Sequence, residues 1–223
     1  MNDFLREHEQ FVDERVSLLT EIERAVYVRP YEHFRDNNMM FMLQSIPMMY
    51  ATWEGFVYES LMMYIRELNR LDIQFNQLND RIQIAHMESN FKQFMDYPKK
   101  FSKKCDFHRG IREFDFNMVA TIKIELNTES NVGLNVLNKL LESLALPTID
   151  KYCGEYRTEE SNLDSELKKL LKLRNCIAHG VEIDAEEVIN QSVFSKFKKM
   201  ICFLMYEIHL RLIQAIENKM YLM

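Results

Sequence analysis

The side chains best equipped for chemistry lie within one short stretch, Leu167 to Gly180, LKKLLKLRNCIAHG. Leu163, Leu167, Leu170, Leu171, Ile177, Ala178 and Val181 recur at helical spacing and predict a helix from about residue 161 that ends at a glycine. Arg174 falls inside that apolar stripe, where a charge that cannot be deprotonated has to find partners. The opposite side carries Lys168, Lys172, Asn175 and His179, spaced 4, 3 and 4. An arginine holds a phosphate through parallel hydrogen bonds and stabilises its developing charge. A histidine near neutral pKa takes or returns a proton. The pair suits a phosphodiester that brings its own nucleophile. In RNA the 2′-hydroxyl sits beside the phosphorus, so attack is intramolecular and its entropic cost is largely met in advance. The product would be a 2′,3′-cyclic phosphate. DNA offers no such internal hydroxyl. In this arrangement Asn175 would bond the substrate or position His179. Lys168 and Lys172 would be phosphate contacts that set position and not sequence. The competing explanation is an ion-paired core arginine, solvated lysines and a C-terminal histidine favoured by the helix dipole.

Geometry restricts how the pair can act. Residues five apart on a helix differ by about 140° in direction and about 7.5 Å along the axis. Arg174 and His179 converge only if the helix loosens near Gly180 or if a second copy contributes. A two-fold homodimer would bring two motif helices together and build a shared site. Other chemistries lack their signatures: HExxH, paired CxxC, GxxxxGK[ST] and GxSxG are all absent. Cys176 and His179 alone do not make a zinc site, and no carboxylate cluster for two magnesium ions is evident. No metal and no cofactor is expected.

Three stretches resemble one known family. Arg174-Asn175-x-x-x-His179 followed by Gly180 resembles the R-x(4–6)-H signature of the HEPN superfamily. Tyr50-Ala-Thr-Trp-Glu-Gly-Phe56 is similar to the "WEGF" helix of its MAE-type HEPN-like nucleases. Asn127-Thr-Glu-Ser-Asn131, with VLNKLLESLALP after it, resembles the segment that family places before its catalytic helix. The likeness runs from about residue 35 to the C-terminus. It implies an antiparallel helical bundle and a dimeric, metal-independent endoribonuclease with Arg174 and His179 as its catalytic pair. It also implies a toxin–antitoxin or anti-phage setting and a nucleotidyltransferase-like antitoxin as partner. The alternative from a different class is a non-catalytic HEPN-fold module that binds RNA or a nucleotidyltransferase partner; a purely structural scaffold is a third.

The elements that must position these residues are predicted to be mainly helical. With 5 Gly and 4 Pro in 223 residues, long helices are favoured over a turn-rich β fold. The expected class is all-α, one HEPN-like domain over residues 1–223, with an insert at 98–130 that contains one or two short strands. Periodicity predicts helices over about 3–28 (ended by Pro30), 36–69 (kinked at Pro47), 78–97, 131–146, from 161, and 185–220 with Asp184 as cap. Ser161 or Asn162 caps the motif helix. His8 falls on the apolar side of the first helix and reads as a half-buried core or interface residue. Glu54 sits at the edge of the second helix's inner stripe. It either orients Arg174 across the helix pair or is a solvated helix charge.

The formal net charge of −6 argues against broad coating of nucleic acid, though not against a local basic site. The one basic and aromatic cluster comprises Lys99, Lys100, Lys103, Lys104, His108, Arg109 and Arg112 with Phe101 and Phe107. It is either a solvated loop or a phosphate and base-stacking surface for single-stranded RNA. Cys105, Cys153, Cys176 and Cys202 are unpaired in pattern and suit a reducing cytoplasm. The start, MNDFLREHEQ, is no signal peptide. The uncharged run from Asn37 to Trp53 is too short and polar for a membrane span. A cytoplasmic protein with no membrane partner is expected.

Overall fold

The computed structural model describes residues 2–28, 38–128, 131–159, 161–180 and 189–223. Seven α-helices lie among them: α1 (Asn2–Glu23), α2 (Asn38–Asn69), α3 (Asp80–Asn90), α4 (Phe101–Glu113), α5 (Leu134–Ser143), α6 (Leu163–Ala178) and α7 (Gln191–Glu217). The chain is all-α, as its periodicity predicts. None of the described helices is long and apolar enough to cross a membrane.

The centre of the bundle is α2, because it is apolar on most of its circumference. Ile46, Met49, Trp53, Phe56, Val57, Leu61 and Tyr64 are fully or almost fully buried. Pro47 lies inside the helix without ending it. Helix α1 runs antiparallel to both α2 and α7. Toward α2, Tyr27 meets Ser45 at 2.9 Å and the Phe11 ring lies 5.3 Å from Phe56. Toward α7, Glu23 pairs with Lys198, Tyr206 donates to Asp13, and His8 meets His209. A π-helical turn, Arg24–Val28, carries α1 to its last described residue.

His8 is more deeply placed than its sequence context suggests. It is 0% exposed, and its Nδ1 lies 2.9 Å from Nδ1 of His209, with the rings parallel and 5.1 Å apart. One Nδ1 donates and the other accepts, so the accepting ring must be neutral. Burial, and then the neighbouring His209, push the His8 pKa down to about 3.

Helix ends follow capping chemistry. Asn162 caps α6 and Asn190 caps α7; the expected cap Asp184 lies outside the described residues. The predicted helix at 78–97 is shorter. It ends at Asn90, and a 3-10 turn at Lys92–Phe94 follows.

The expected strands at 98–130 are absent from the described residues. The first part is helix α4. The second is an extended strap with a single isolated bridge, Gln74 to Val119. Its residues do alternate, with Ala120 and Ile122 buried and Thr121 and Lys123 exposed. The period of two is real, but much of the strap's pairing is with side chains. Asn69 bonds Ile122 in both directions, at 3.1 and 2.6 Å. His86 accepts the Lys123 amide, and Ser89 accepts the Glu125 amide. An extended chain pinned by helix side chains satisfies its backbone without building a sheet.

Candidate functional site around Arg174

Helix α6 is fixed at its start and freer at its end. Asn162 Oδ1 accepts the Ser165 amide at 2.9 Å, and Ser165 Oγ accepts the Asn162 amide at 3.2 Å. Leu163, Leu167 and Leu170 are buried. Glu166, 1% exposed, binds Lys169 at 2.8 Å and Lys196 of α7 at 2.7 Å. Burial alone would raise its pKa, yet the two lysines hold it below the usual carboxylate value. From Leu171 to Ile177 every residue but the exposed Lys172 is half-buried, so this end of α6 lies at the rim of the core.

Arg174 resolves its place in an apolar stripe by stacking. Its guanidinium carbon lies 4.0 Å from the centre of the Tyr50 ring, a cation–π contact, and Nη1 donates to Asn175 Oδ1 at 2.7 Å. Tyr50 is itself held. Its hydroxyl accepts the Val132 amide at 2.9 Å, while Trp53 Nε1 donates to the Val132 carbonyl at 3.0 Å. Two side chains of α2 therefore grip both backbone groups of one residue at the entry to α5. Burial first, and then the Glu54 carboxylate, raise the Tyr50 pKa, against the lowering effect of the Val132 amide and Arg174.

Glu54 lies one turn beyond Tyr50. Its Oε1 accepts a hydrogen bond from the Thr128 hydroxyl at 2.9 Å. This bond ties Glu54 to the strap, and the Tyr50 ring one turn earlier lies beneath Arg174. Sequence reasoning names Tyr50 only as part of the 50–56 stretch and misses this platform. A signal was available: Tyr50 and Glu54 stand four apart in the same motif, on one helix face, opposite an arginine set in an apolar stripe.

His179 is the C-cap of α6, with φ −93° and ψ 3°, and its ring is exposed. Its amide donates to the Asn175 carbonyl at 3.0 Å. Gly180 follows at φ +65°, the left-handed conformation that ends a helix; a Cβ there would meet no atom, so the requirement is one of backbone angle. The structure thus brings Arg174, Asn175 and Tyr50 together and leaves His179 at the helix end. Lys168 pairs with Asp164 at 2.6 Å on the exposed face, and Lys172 is exposed beside it. Ala178, expected on the buried side, is exposed. No group of three or more His, Cys, Asp or Glu among the described residues could hold a metal ion.

An all-helical bundle whose motif helix sets an Arg-Asn turn on a gripped tyrosine, and closes on a histidine and a left-handed glycine, has the architecture of a HEPN domain. The model of the MAE_28990-like HEPN family matches residues 10–221, and the chain belongs to that family. Neither a curated protein nor a solved structure matches it.

Proposed function

We propose that this HEPN domain is a metal-independent endoribonuclease in which Arg174 binds the scissile phosphate and His179 moves the proton. The observation that carries the reading is the Arg174–Tyr50 stack. It holds the guanidinium against the Tyr50 ring at the rim of the core, and a guanidinium so placed presents a planar, permanently charged group suited to a phosphate. His179 takes the proton of the 2′-hydroxyl, and that oxygen attacks phosphorus. Arg174 stabilises the charge that develops on the phosphoryl oxygens. The 5′ oxygen leaves with a proton, giving a 2′,3′-cyclic phosphate and a free 5′-hydroxyl. Asn175 steadies the Arg174 guanidinium, and Lys172, with Lys168 when released from Asp164, contacts flanking phosphates. The site is completed by a second copy of the chain. Two features support this: the divergence of Arg174 and His179 along α6, and the half-buried apolar side chains Leu171, Leu173 and Ile177 beside them. A toxin–antitoxin or anti-phage role in the cytoplasm, with a nucleotidyltransferase-like antitoxin, follows from the family resemblance alone.

The same divergence favours the second reading, a non-catalytic module that binds RNA or a nucleotidyltransferase partner, if the chain acts as a monomer. The test incubates wild type and His179→Ala with total RNA and with DNA in excess EDTA, alongside a solution mass at micromolar concentration. RNA-only cleavage by wild type, lost in a folded variant, is the expected result. Absence of cleavage, or a monomeric mass, would turn the assignment to the binding module.

A further inference from the structure

Helix α4 carries the densest positive charge of an acidic chain, and the chemistry at Arg174 makes no use of it. Residues 95–113 hold six Lys and Arg against three Asp and Glu, in a protein of net charge −6. The helix buries one side chain, Phe107, which sits edge-on to Phe94 at 5.0 Å between ring centres, within a cluster that includes Phe91 and Tyr97. Gly110 passes close to Phe91, where an added Cβ would lie 3.1 Å from the ring. That aromatic seat accounts for how α4 docks. It does not account for the outer face.

The outer face presents Phe101, His108, Arg109 and Arg112, all exposed, at relative positions 0, 7, 8 and 11 of the helix and hence on one side. Phe101 is 80% exposed. Around the start of the helix, Lys99, Lys100, Lys103 and Lys104 gather with no acidic residue in the first turn. Cations at that end oppose the helix dipole, so helix stability does not explain them. Asp106 approaches Lys103 at 3.8 Å and Arg109 at 3.7 Å, both exposed pairs of little strength. Lys104 is half-buried and reaches over the Tyr97 ring at 5.0 Å, while Lys99, Lys100 and Lys103 are exposed. Weakly partnered cations beside a solvent-facing aromatic ring match a flexible polyanion whose bases can stack.

We propose that the outer face of α4 is a binding surface for single-stranded RNA, separate from the Arg174 turn, which holds the strand while α6 acts on it. Its lysines track the phosphate backbone, and Phe101 stacks a base. The choice of RNA among polyanions rests on the ribonuclease reading; the surface itself does not. Sequence discrimination is not expected, because phosphate contacts position a strand without reading it.

The experiment uses the full chain carrying His179→Ala, so that RNA survives, and follows the anisotropy of a labelled single-stranded RNA over a range of salt. Replacing Lys99, Lys100, Lys103 and Lys104 together by Gln is expected to weaken binding at least about tenfold at low salt. It should also reduce the slope of log affinity against log salt by about 2 to 3, as for four single-strand phosphate contacts. Phe101→Ala is expected to weaken single-strand binding about fivefold or more and to leave an RNA duplex little affected. Because the Phe101 ring is in solvent, this arm remains informative even if the lysine variant loses the helix. Unchanged affinity and slope in folded variants would overturn the proposal. So would binding of wild type to phosphatidylserine vesicles that depends on these residues while RNA binding does not. If wild type fails to cut RNA but α4-dependent binding persists, the ribonuclease reading falls and this surface stands. If cutting is intact and α4 is irrelevant to binding, only the surface falls.

Discussion

Acid should unfold this protein through His8 well before its carboxylates titrate fully. In the native state His8 is sealed between α1 and α7, bonded to His209, and its pKa is pushed down to about 3 from an ordinary 6.5. The unfolded chain therefore binds a proton near pH 6.5 that the folded chain refuses until about pH 3. Between those values stability falls as pH falls, and above pH 6.5 the contribution is complete. For an otherwise ordinary histidine, going from pH 7 to pH 4.5 costs about 2.5 kcal/mol, close to two pKa units at 1.36 kcal/mol each. His209, on α7, is also shifted down by burial, against the raising effect of Glu9 and Asp13 on α1, so it adds to the same trend. For a chain of this size the His8 share alone corresponds to about 5–10 °C in Tm. The assay is thermal unfolding from pH 7 to 4.5 for wild type and His8→Leu, whose side chain fills a similar volume without titrating. Carboxylates contribute alike to both, so the difference between the two pH profiles isolates His8 together with its bond to His209. Parallel profiles would refute the reasoning, since they would mean that the buried ring gains its proton as easily as a free one.

Three further outcomes are expected around Arg174. Tyr50→Phe keeps the ring under Arg174 but loses the acceptor of the Val132 amide, costing about 1–2 kcal/mol in denaturant unfolding; Tyr50→Leu loses the stack as well and should depress RNA cleavage further. Glu54→Ala and Thr128→Val should each cost about 1 kcal/mol, and the double variant should cost clearly less than their sum if the 2.9 Å bond is what both remove. Gly180→Ala should cost about 1 kcal/mol through its left-handed backbone and, by displacing His179, lower cleavage more than stability; equal effects on both would mean that the turn matters for folding alone.

Much of this architecture is legible in the residue pattern because it is local. Apolar stripes mark α2, α6 and α7, and Asn162 and Gly180 bound the motif helix from its own sequence. What sequence misreads is non-local. The alternation at 120–123 correctly reports two faces of an extended chain, but it cannot say that Asn69, His86 and Ser89, distant in sequence, supply the partners a neighbouring strand would. The helix at 78–97 reads too long because Phe91 and Phe94 continue the stripe of α3, whereas their rings serve the aromatic seat of α4. At the candidate site, Arg174, Asn175 and His179 stand out by type and spacing. The Tyr50 face beneath Arg174 does not, because an aromatic ring is a less obvious neighbour for a guanidinium than a carboxylate. Lys168 is visible as a cation, while its pairing with Asp164 one turn earlier is a matter of rotamer.

The grip on Val132 also makes this residue a built-in gauge. Its amide proton is buried and bonded to the hydroxyl of the very ring that supports Arg174. That proton can exchange with solvent only when the 131–133 segment parts from α2, an opening that would release the Tyr50 hydroxyl from its backbone anchor. Hydrogen exchange at a single position thus reports whether the arginine's support is assembled, in any variant and without RNA. An anion seated on Arg174 would slow that exchange from the other side of the ring.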